Sequence, residues 1–519
     1  MNKKLQDIFR YHEETKHSHF RYARSLGYMD WANQPDPFRS YKGAKNITLP
    51  LALEYPTPPY HLIFTGDVPS APLLINSVSQ FLQFSMGISA IKSNGMDEWA
   101  LRCNASSGNL HPSETYLILP PMDGIDTKTS VSHYAPKNHS LEIIDSFESG
   151  MWKKLPQGSF FVALSSIVYR EVWKYGERAF RYTQLDAGHA QRALQISAKV
   201  LGWKHKLLSN ISDEDISKIL GLDQKIRFNE NEMEIPDMLL LITPEEFKDA
   251  IDISELLRSD IFDSIANTLA QNHQKWPMIS LIEEATFASH TKRKTAESIT
   301  IQRDPTKESK SVILNRRSAQ AMDAPKSEIS LKDFYTLLWS TLESFDGFEN
   351  SVHLVLFVHN VRELESGLYL FVRNPKILPE LKSSMEESFL FEKISSNLYA
   401  LRYADYRIVS KNISCAQDIA KDGAFSMGML CSFSDELIHY GEHRYKELYW
   451  ECGAIGQQLY LEAASLGLSA TGIGCFLDDD FHKLCGLKSN KFQSLYHFTI
   501  GRGLFDSRIL TKNPYYARE

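Results

Sequence analysis

The feature that most constrains this chain is a duplication at a constant offset. KYGERAFRYTQLDAGHAQRALQISAKVLGW (174–203) aligns with HYGEHRYKELYWECGAIGQQLYLEAASLGL (439–468), so Tyr175 matches Tyr440 and Gly202 matches Gly467, each pair 265 residues apart. The register holds without a gap from Gly158/Gly423 to Leu222/Leu487. Ala187, Leu194, Ala198 and Leu201 recur at helical spacing, which predicts a buried helix in each copy. A period this long excludes a stacked solenoid and points to two homologous domains.

Upstream, the copies match more loosely. LLINSVSQFLQFS (73–85) and SLKDFYTLLWST (330–341) each read as an amphipathic helix, followed by segments that read as hairpin strands. Helices interleaved with strands give an α+β, three-layer architecture. The division expected is an N-terminal arm over 1–50, a first domain over 51–250, a linker over 251–310 and a second domain over 311–519. Within that linker, SHTKRKTAESITIQRDPTKESK (289–310) is polar, charged and nearly free of apolar residues, as in an exposed spacer.

Composition excludes several classes. With 57 basic and 64 acidic residues the net charge is -7, which gives no electrostatic case for nucleic acid. Six cysteines without a CxxC pair argue against a zinc finger or a disulfide framework. No apolar run is long enough to span a bilayer, and MNKKLQDIFRYHEETKHSHFRY lacks the apolar core of a leader. A cytoplasmic protein with no membrane partner is expected.

The two copies have lost different things. The second opens with ILNRRSAQAM (313–322), where guanidiniums and a short hydroxyl suit a phosphate. It carries ATGIGCFLDDD (470–480), whose glycines allow a ligand near the backbone, and ends in LYHFTIGRGLFDSR (495–508). At corresponding places the first copy has KLLSNISDE (206–214), without those glycines, and MLLLITPEE (238–246), with acids where the arginines would be. The first copy in turn keeps an Ala-Ser-Ser-Gly-Asn loop at 105–109, Lys174-Tyr175 and Gly188-His189. Complementary inventories suggest one shared site.

RCNASSGNLHPSETY, HYAPKNHSLE and KYGERAFRYTQLDAGH resemble the SagB-type dehydrogenases of the FMN-dependent nitroreductase superfamily. RRSAQ, LGLSATGIGCF and FTIGRGLFDSR resemble that superfamily's N-terminal, ring-contacting and C-terminal signatures. The resemblance covers roughly residues 50–250 and 310–510. It implies two tandem nitroreductase-like, FMN-dependent α-β-α domains that form an intrachain pseudo-dimer, with one FMN per chain at the shared interface and a chain that can be monomeric. Arg316, Arg317 and Ser318 would then meet the phosphate or ribityl, with Arg502 or Arg508 joining them. Ile473, Gly474 and Cys475 would pass the ring's reactive edge, and Ala105, Ser106, Ser107, Gly108 and Asn109 would come from the other half. Gln320 stands where the superfamily commonly has a cation beside the pyrimidine edge, and Ala105 where it often has Pro. The neutral Gln320 leaves an anionic reduced flavin less favoured.

In the SagB-type group a Lys-Tyr pair is implicated in removing a proton from an azoline of a modified peptide, and Lys174-Tyr175 matches that pair. A desolvated lysine can act as a base, although neighbouring helix residues face different directions. His189 reads as a hydrogen-bonded helix histidine, and Cys475 as a small residue beside the flavin with no base pattern around it. His12, His17 and His19 lack partners at metal-ligand spacing, so no metal is expected. Asp478-Asp479-Asp480 reads as charge at a helix N-terminus. The leading reading is an FMN oxidoreductase acting on a modified peptide or small heterocycle. Alternatives are an NAD(P)H-dependent nitro or quinone reductase and a non-catalytic flavin-binding scaffold.

Overall fold

The computed structural model describes residues 2–518, apart from 259, 290, 292, 294, 298, 304–306 and 344. The duplication appears in it as two antiparallel seven-stranded sheets. The first comprises β1 (Lys45–Thr48), β2 (Ser113–Leu119), β3 (Thr129–Ala135), β4 (Ser140–Phe147), β5 (Phe160–Ser166), β6 (Lys204–Leu207) and β7 (Ile235–Thr243). Its spatial order is β1-β4-β3-β2-β5-β7-β6. The second comprises β8 (Val352–Val358), β9 (Gly367–Phe371), β10 (Glu392–Lys393), β11 (Leu398–Tyr403), β12 (Phe425–Ser432), β13 (Ser469–Ile473) and β14 (Phe492–Gly501). Its order, β10-β11-β9-β8-β12-β14-β13, repeats the first at six positions, the edge strand alone coming from a different place in the chain: β1 precedes β2, whereas β10 lies between β9 and β11.

Both faces of each sheet are covered, so the central strands are apolar on both sides rather than half-polar. Along β2, Leu117 and Leu119 enter one core while Tyr116 and Ile118 enter another. Six helices matter to the site: α1 (Lys3–Glu14), α2 (Val168–Tyr175), α3 (Ala179–Val200), α4 (Asp213–Leu220), α5 (Arg444–Ser465) and α6 (Asp478–Leu484). The repeat helices α3 and α5 have 22 residues each and pack against one another between the sheets. They cross at Gly188 and Gly453, which are equivalent by the 265-residue offset. A Cβ on Gly453 would lie 3.0 Å from the Gly188 Cα, and one on Gly188 would lie 2.7 Å from the Trp450 Cα. Only hydrogen side chains allow this approach.

Three expectations about boundaries change. The N-terminal arm is not separate, because β1 pairs with β4 and α1 is wedged between the halves. Tyr11 Oη donates to the Glu177 carbonyl at 2.7 Å, and His12 meets Tyr445 and Gln493. The linker is not an exposed spacer. Arg303 is buried and pairs with Glu343 at 2.6 Å and Glu462 at 3.0 Å, which its polar sequence could not disclose. Finally, the C-terminal segment returns to the first half. Leu510–Lys512 pairs with Ile91–Ser93 of a hairpin (88–93 and 98–102), and the buried Tyr515 donates to the Pro136 carbonyl at 2.9 Å.

Candidate active site between the halves

A cavity of about 510 Å³ opens between the halves. From the first half it takes Lys92 and Trp99 of the hairpin, the loop from Arg102 to His111, Tyr175 of α2, and Tyr182, Asp186 and His189 of α3. From the second it takes Arg316–Gln320, Tyr460 of α5, Thr471–Cys475, Tyr496 of β14 and the segment around Phe505. Ala105, Ser106, Ser107, Gly108 and Asn109 thus share one cavity with Ile473, Gly474 and Cys475 of the other copy.

The loop is fastened from both sides. Gln457 of α5 accepts the Ala105 N–H at 3.1 Å and donates to the Cys103 carbonyl at 3.3 Å. Arg316 donates to the Cys103 and Arg102 carbonyls at 3.0 and 2.9 Å. On the loop's own side, Asp186 accepts the Ser107 N–H at 2.9 Å and the Ser107 hydroxyl at 2.9 Å. Ser106 Oγ accepts the His111 N–H at 2.8 Å. Gly108 sits at φ +59°, and a Cβ there would lie 2.8 Å from Tyr175 Oη and 3.0 Å from Lys174 Nζ. Glycine serves both the left-handed backbone and the close approach.

In the second half, residues 316–320 run beside β13. Ala319 N–H donates to the Ala470 carbonyl at 3.2 Å, and Thr471 Oγ1 donates to the Ala319 carbonyl at 2.6 Å. Tyr460 Oη joins the two, 2.8 Å from Ser318 Oγ and accepting the Gly472 N–H at 2.8 Å. Gly472 and Gly474 line the cavity and also make room for neighbouring rings. A Cβ on Gly472 would overlap the Tyr496 phenol, and one on Gly474 the Tyr182 ring, so they admit aromatic walls.

Positive charge gathers at one end. Burial and the Arg316 charge pull Arg317 down to about 10, burial lowers Arg316, and burial with Arg317 lowers Lys92. No carboxylate contributes to any of these three shifts, and Asp506 in the cavity wall is paired with Arg508 at 2.6 Å. Three cations with no carboxylate partner among the described residues are an arrangement suited to an anion. The lining residues Arg102, Asn104 and His111 also leave buried polar atoms, Nε, Oδ1 and Nδ1, without a protein partner. This donor and acceptor set fits a ligand with an anionic end and a polar heterocycle, as FMN has.

Acidic groups back the other wall. Burial pushes Asp186 up to about 7. Burial and then Asp186 raise Glu171, whose two oxygens are buried without a hydrogen-bond partner. Tyr175 is raised by burial and by Glu171, so its phenol stays protonated. Burial, then Arg316, push His189 down to about 3, and it bonds Gln457 and Tyr496 as a neutral ring.

Some expected site residues lie elsewhere. Arg508 is exposed on Asp506, and Arg502 reaches the Gly467 carbonyl at 3.4 Å; neither lines the cavity. Lys174 is not in the wall either, although its Nζ lies behind Gly108 and 5.4 Å from the Tyr175 ring centre. Asp478 does open α6, yet it is buried and bridges Arg178 and Arg181 at 2.9 and 3.0 Å, so it is more than a surface helix charge. No cluster of three or more potential metal ligands occurs among the described residues. Lys92, Tyr182, Asp186, Gln457, Tyr460 and Tyr496 went unnoticed in the sequence. Only Asp186 had a local signal, a carboxylate one turn before His189 on an otherwise buried helix.

The corresponding place in the other copy is filled by protein. Asp346 accepts the Leu207 N–H of β6 at 2.7 Å, where the offset puts Gly472. Glu447, the equivalent of Tyr182, holds Arg293 at 2.7 Å. Linker residues complete the plug: Asn210 N–H meets the Thr291 carbonyl at 3.0 Å, and Ala296 N–H the Phe348 carbonyl at 2.7 Å.

Comparison with known proteins agrees with this geometry. Residues 313–502 match the profile described as the Nitroreductase family. A candidate nitroreductase of Methanocaldococcus jannaschii is 26% identical over 163 residues, covering 30% of this chain and 78% of that protein. The crystal structure of a candidate nitroreductase from Anabaena variabilis has 20% identity and a TM-score of 0.70, covering 96% of this chain and 99% of that one. The paired-sheet fold is thus shared along almost the whole length, and residues 313–502 of this chain match the nitroreductase-family profile.

Proposed function

We propose that this protein is an FMN-dependent oxidoreductase whose halves form an intrachain pseudo-dimer with one flavin site, and that it acts as a SagB-type dehydrogenase on an azoline or related heterocycle of a peptide. The observation that carries the reading is the asymmetry between the two equivalent places. One is a cavity that gathers the RRSAQ, ATGIGC and ASSGN segments, while its mate is plugged by Asp346, Arg293 and Thr291.

Lys92, Arg316, Arg317 and Ser318 would hold the phosphate end, and the loop at 104–109 with residues 472–475 would flank the ring. FMN, when bound, supplies a two-electron acceptor. The chain's own part is to orient the substrate and move its proton. Lys174 is the base in this reading, and the protonated Tyr175 phenol beside it positions the substrate. Asp186 and Glu171 lie behind them as buried carboxyls whose pKa values burial raises above the ordinary carboxylate range. Trp99 and Phe505 offer the entering substrate an apolar rim.

The test is reconstitution with FMN, release by denaturation and counting against protein. About one FMN per chain supports the reading. Two per chain, or none after added FMN, refutes it. With FMN bound, Lys174→Ala should retain the colour and lose azoline oxidation at least about tenfold. An unchanged rate removes the base. Rapid bleaching by NADH or NADPH with no azoline oxidation would assign the site to a reductase instead.

A further inference from the structure

The plugged mate is an internal control for the groups behind the open cavity, because the 265-residue offset gives each of them a counterpart. Asp478 opens α6 and accepts from Arg181 of the other half at 3.0 Å. Its counterpart Asp213 opens α4 and accepts from Lys446 at 2.8 Å, and Lys446 is the counterpart of Arg181. An acid–cation pair that both halves retain serves their packing. Arg178 is different. It donates to the same Asp478 carboxylate at 2.9 Å, to the Thr15 carbonyl at 2.6 Å and to the Gly474 carbonyl at 3.3 Å, and lies 4.9 Å from the Phe476 ring centre. Its counterpart is His443, whose Nε2 has no hydrogen-bond partner among the described residues. The next residue, Arg444, pairs with Glu436 and Glu447, and the corresponding backbone meets Arg293 of the plug at the Leu208 carbonyl.

Charge separates the two places. Arg178 and Arg181 against Asp478 leave one excess positive charge, held in the interior. Burial lowers His12 and His17 beside them, so neither adds to it. In the mate Lys446 and Asp213 balance, and burial lowers His443 as well. Backbone orientation separates them too. The Gly474 carbonyl and the Cys475 N–H belong to one trans peptide unit, and both residues line the cavity. With the oxygen turned to Arg178, the N–H points to the opposite side. A cation on the oxygen also polarises the unit and makes that N–H a stronger donor.

We propose that Arg178 is a positioning residue that acts through the Gly474–Cys475 peptide, and that its charge biases the site toward reduced, anionic FMN. The proposal rests on the FMN reading above and adds a residue to it. Arg178 contributes from behind the wall the positive charge that the neutral Gln320 does not bring, and the fold delivers it from the half opposite the segment it holds.

The experiment uses the full chain reconstituted with FMN. Its reduction potential is read against a reference dye at pH 8 under stepwise dithionite reduction, together with the Kd for oxidised FMN. Arg178→Gln should bind oxidised FMN within about twofold of the parent and reduced FMN about tenfold more weakly, lowering the two-electron potential by about 30 mV. Arg178→Lys retains the charge and should lie closer to the parent. Where Arg178→Gln does not fold, Arg178→His, which copies the mate, is read in the same way. A parental potential in Arg178→Gln overturns the proposal, and so does an equal fall in Arg178→Lys, since charge would then not be the cause. A parent that takes up no FMN removes the flavin reading and the proposal together. A parent that binds FMN and shares its potential with the variants removes the proposal alone.

Discussion

Arg317→Gln tests the anion site with two effects of opposite sign. Arg317 is a cation whose folded pKa, about 10, lies below its ordinary 12.5. The charged form is therefore disfavoured in the fold, and this cost is fully present at every pH below about 10, including neutrality. A shift of that size corresponds to about 3 kcal/mol as an upper figure. Removing the guanidinium also removes its bonds to the Leu314 and Arg316 carbonyls, each 2.6 Å, worth about 1 kcal/mol apiece. The net expectation is a ligand-free protein stabilised by about 1 kcal/mol, a rise of roughly 1–2 °C in Tm. FMN binding should respond in the other direction. A charged hydrogen bond to phosphate contributes about 1.5–3 kcal/mol, so the Kd for FMN should rise about 10- to 100-fold. Riboflavin, which lacks the phosphate, should bind both proteins equally. Fluorescence quenching titrations with the two flavins, alongside melting curves without ligand, supply the four quantities. Equal losses for FMN and riboflavin would refute the assignment, as would a ligand-free variant that melts lower than its parent.

Asp186→Asn addresses the buried carboxyl. Its folded pKa, about 7, exceeds the ordinary 3.8, so the fold favours the protonated acid and stability falls as pH climbs between those values, then levels. Between pH 5 and 8 the unsubstituted protein should lose about 2 kcal/mol more than Asp186→Asn in urea unfolding; parallel pH profiles would contradict this. Gly188→Ala puts a methyl into the Trp450 backbone at the helix crossing and should cost about 3 kcal/mol or more by denaturant titration, despite alanine's better helix propensity. A neutral outcome would mean the helices cross elsewhere. Gly474→Ala displaces the Tyr182 ring, and should reduce FMN retained through gel filtration while the far-UV spectrum stays unchanged.

How much of this was legible in advance depended on the range of the interaction. The helices α3 and α5 were readable because apolar periodicity is local, and the offset carried their equivalence directly. The ASSGN loop and the GIGC segment could be assigned to one site because the copies differed in complementary ways. Lys92 had no such signal: its placement depends on a hairpin completed by Leu510–Lys512, more than 400 positions away in the chain. Arg293 and Arg303 read as solvated linker charge, since no local pattern shows that Glu447, Glu343 and Glu462 await them in the interior. Arg502 and Arg508 erred in the opposite sense, because a motif can specify residue types without specifying that their side chains turn inward.

The plugged mate also has a genetic consequence. In a two-chain assembly with equivalent sites, a defect in the loop of one copy and a defect in the arginine segment of another can meet as a mixed pair with one intact site. Here both contributions are covalently joined, and the alternative pairing surface is occupied by Asp346, Arg293 and Thr291. Two alleles damaged in different halves should therefore fail to complement when expressed together. Fusion has made each molecule answerable for its own errors, and selection acts on the two halves as a single unit.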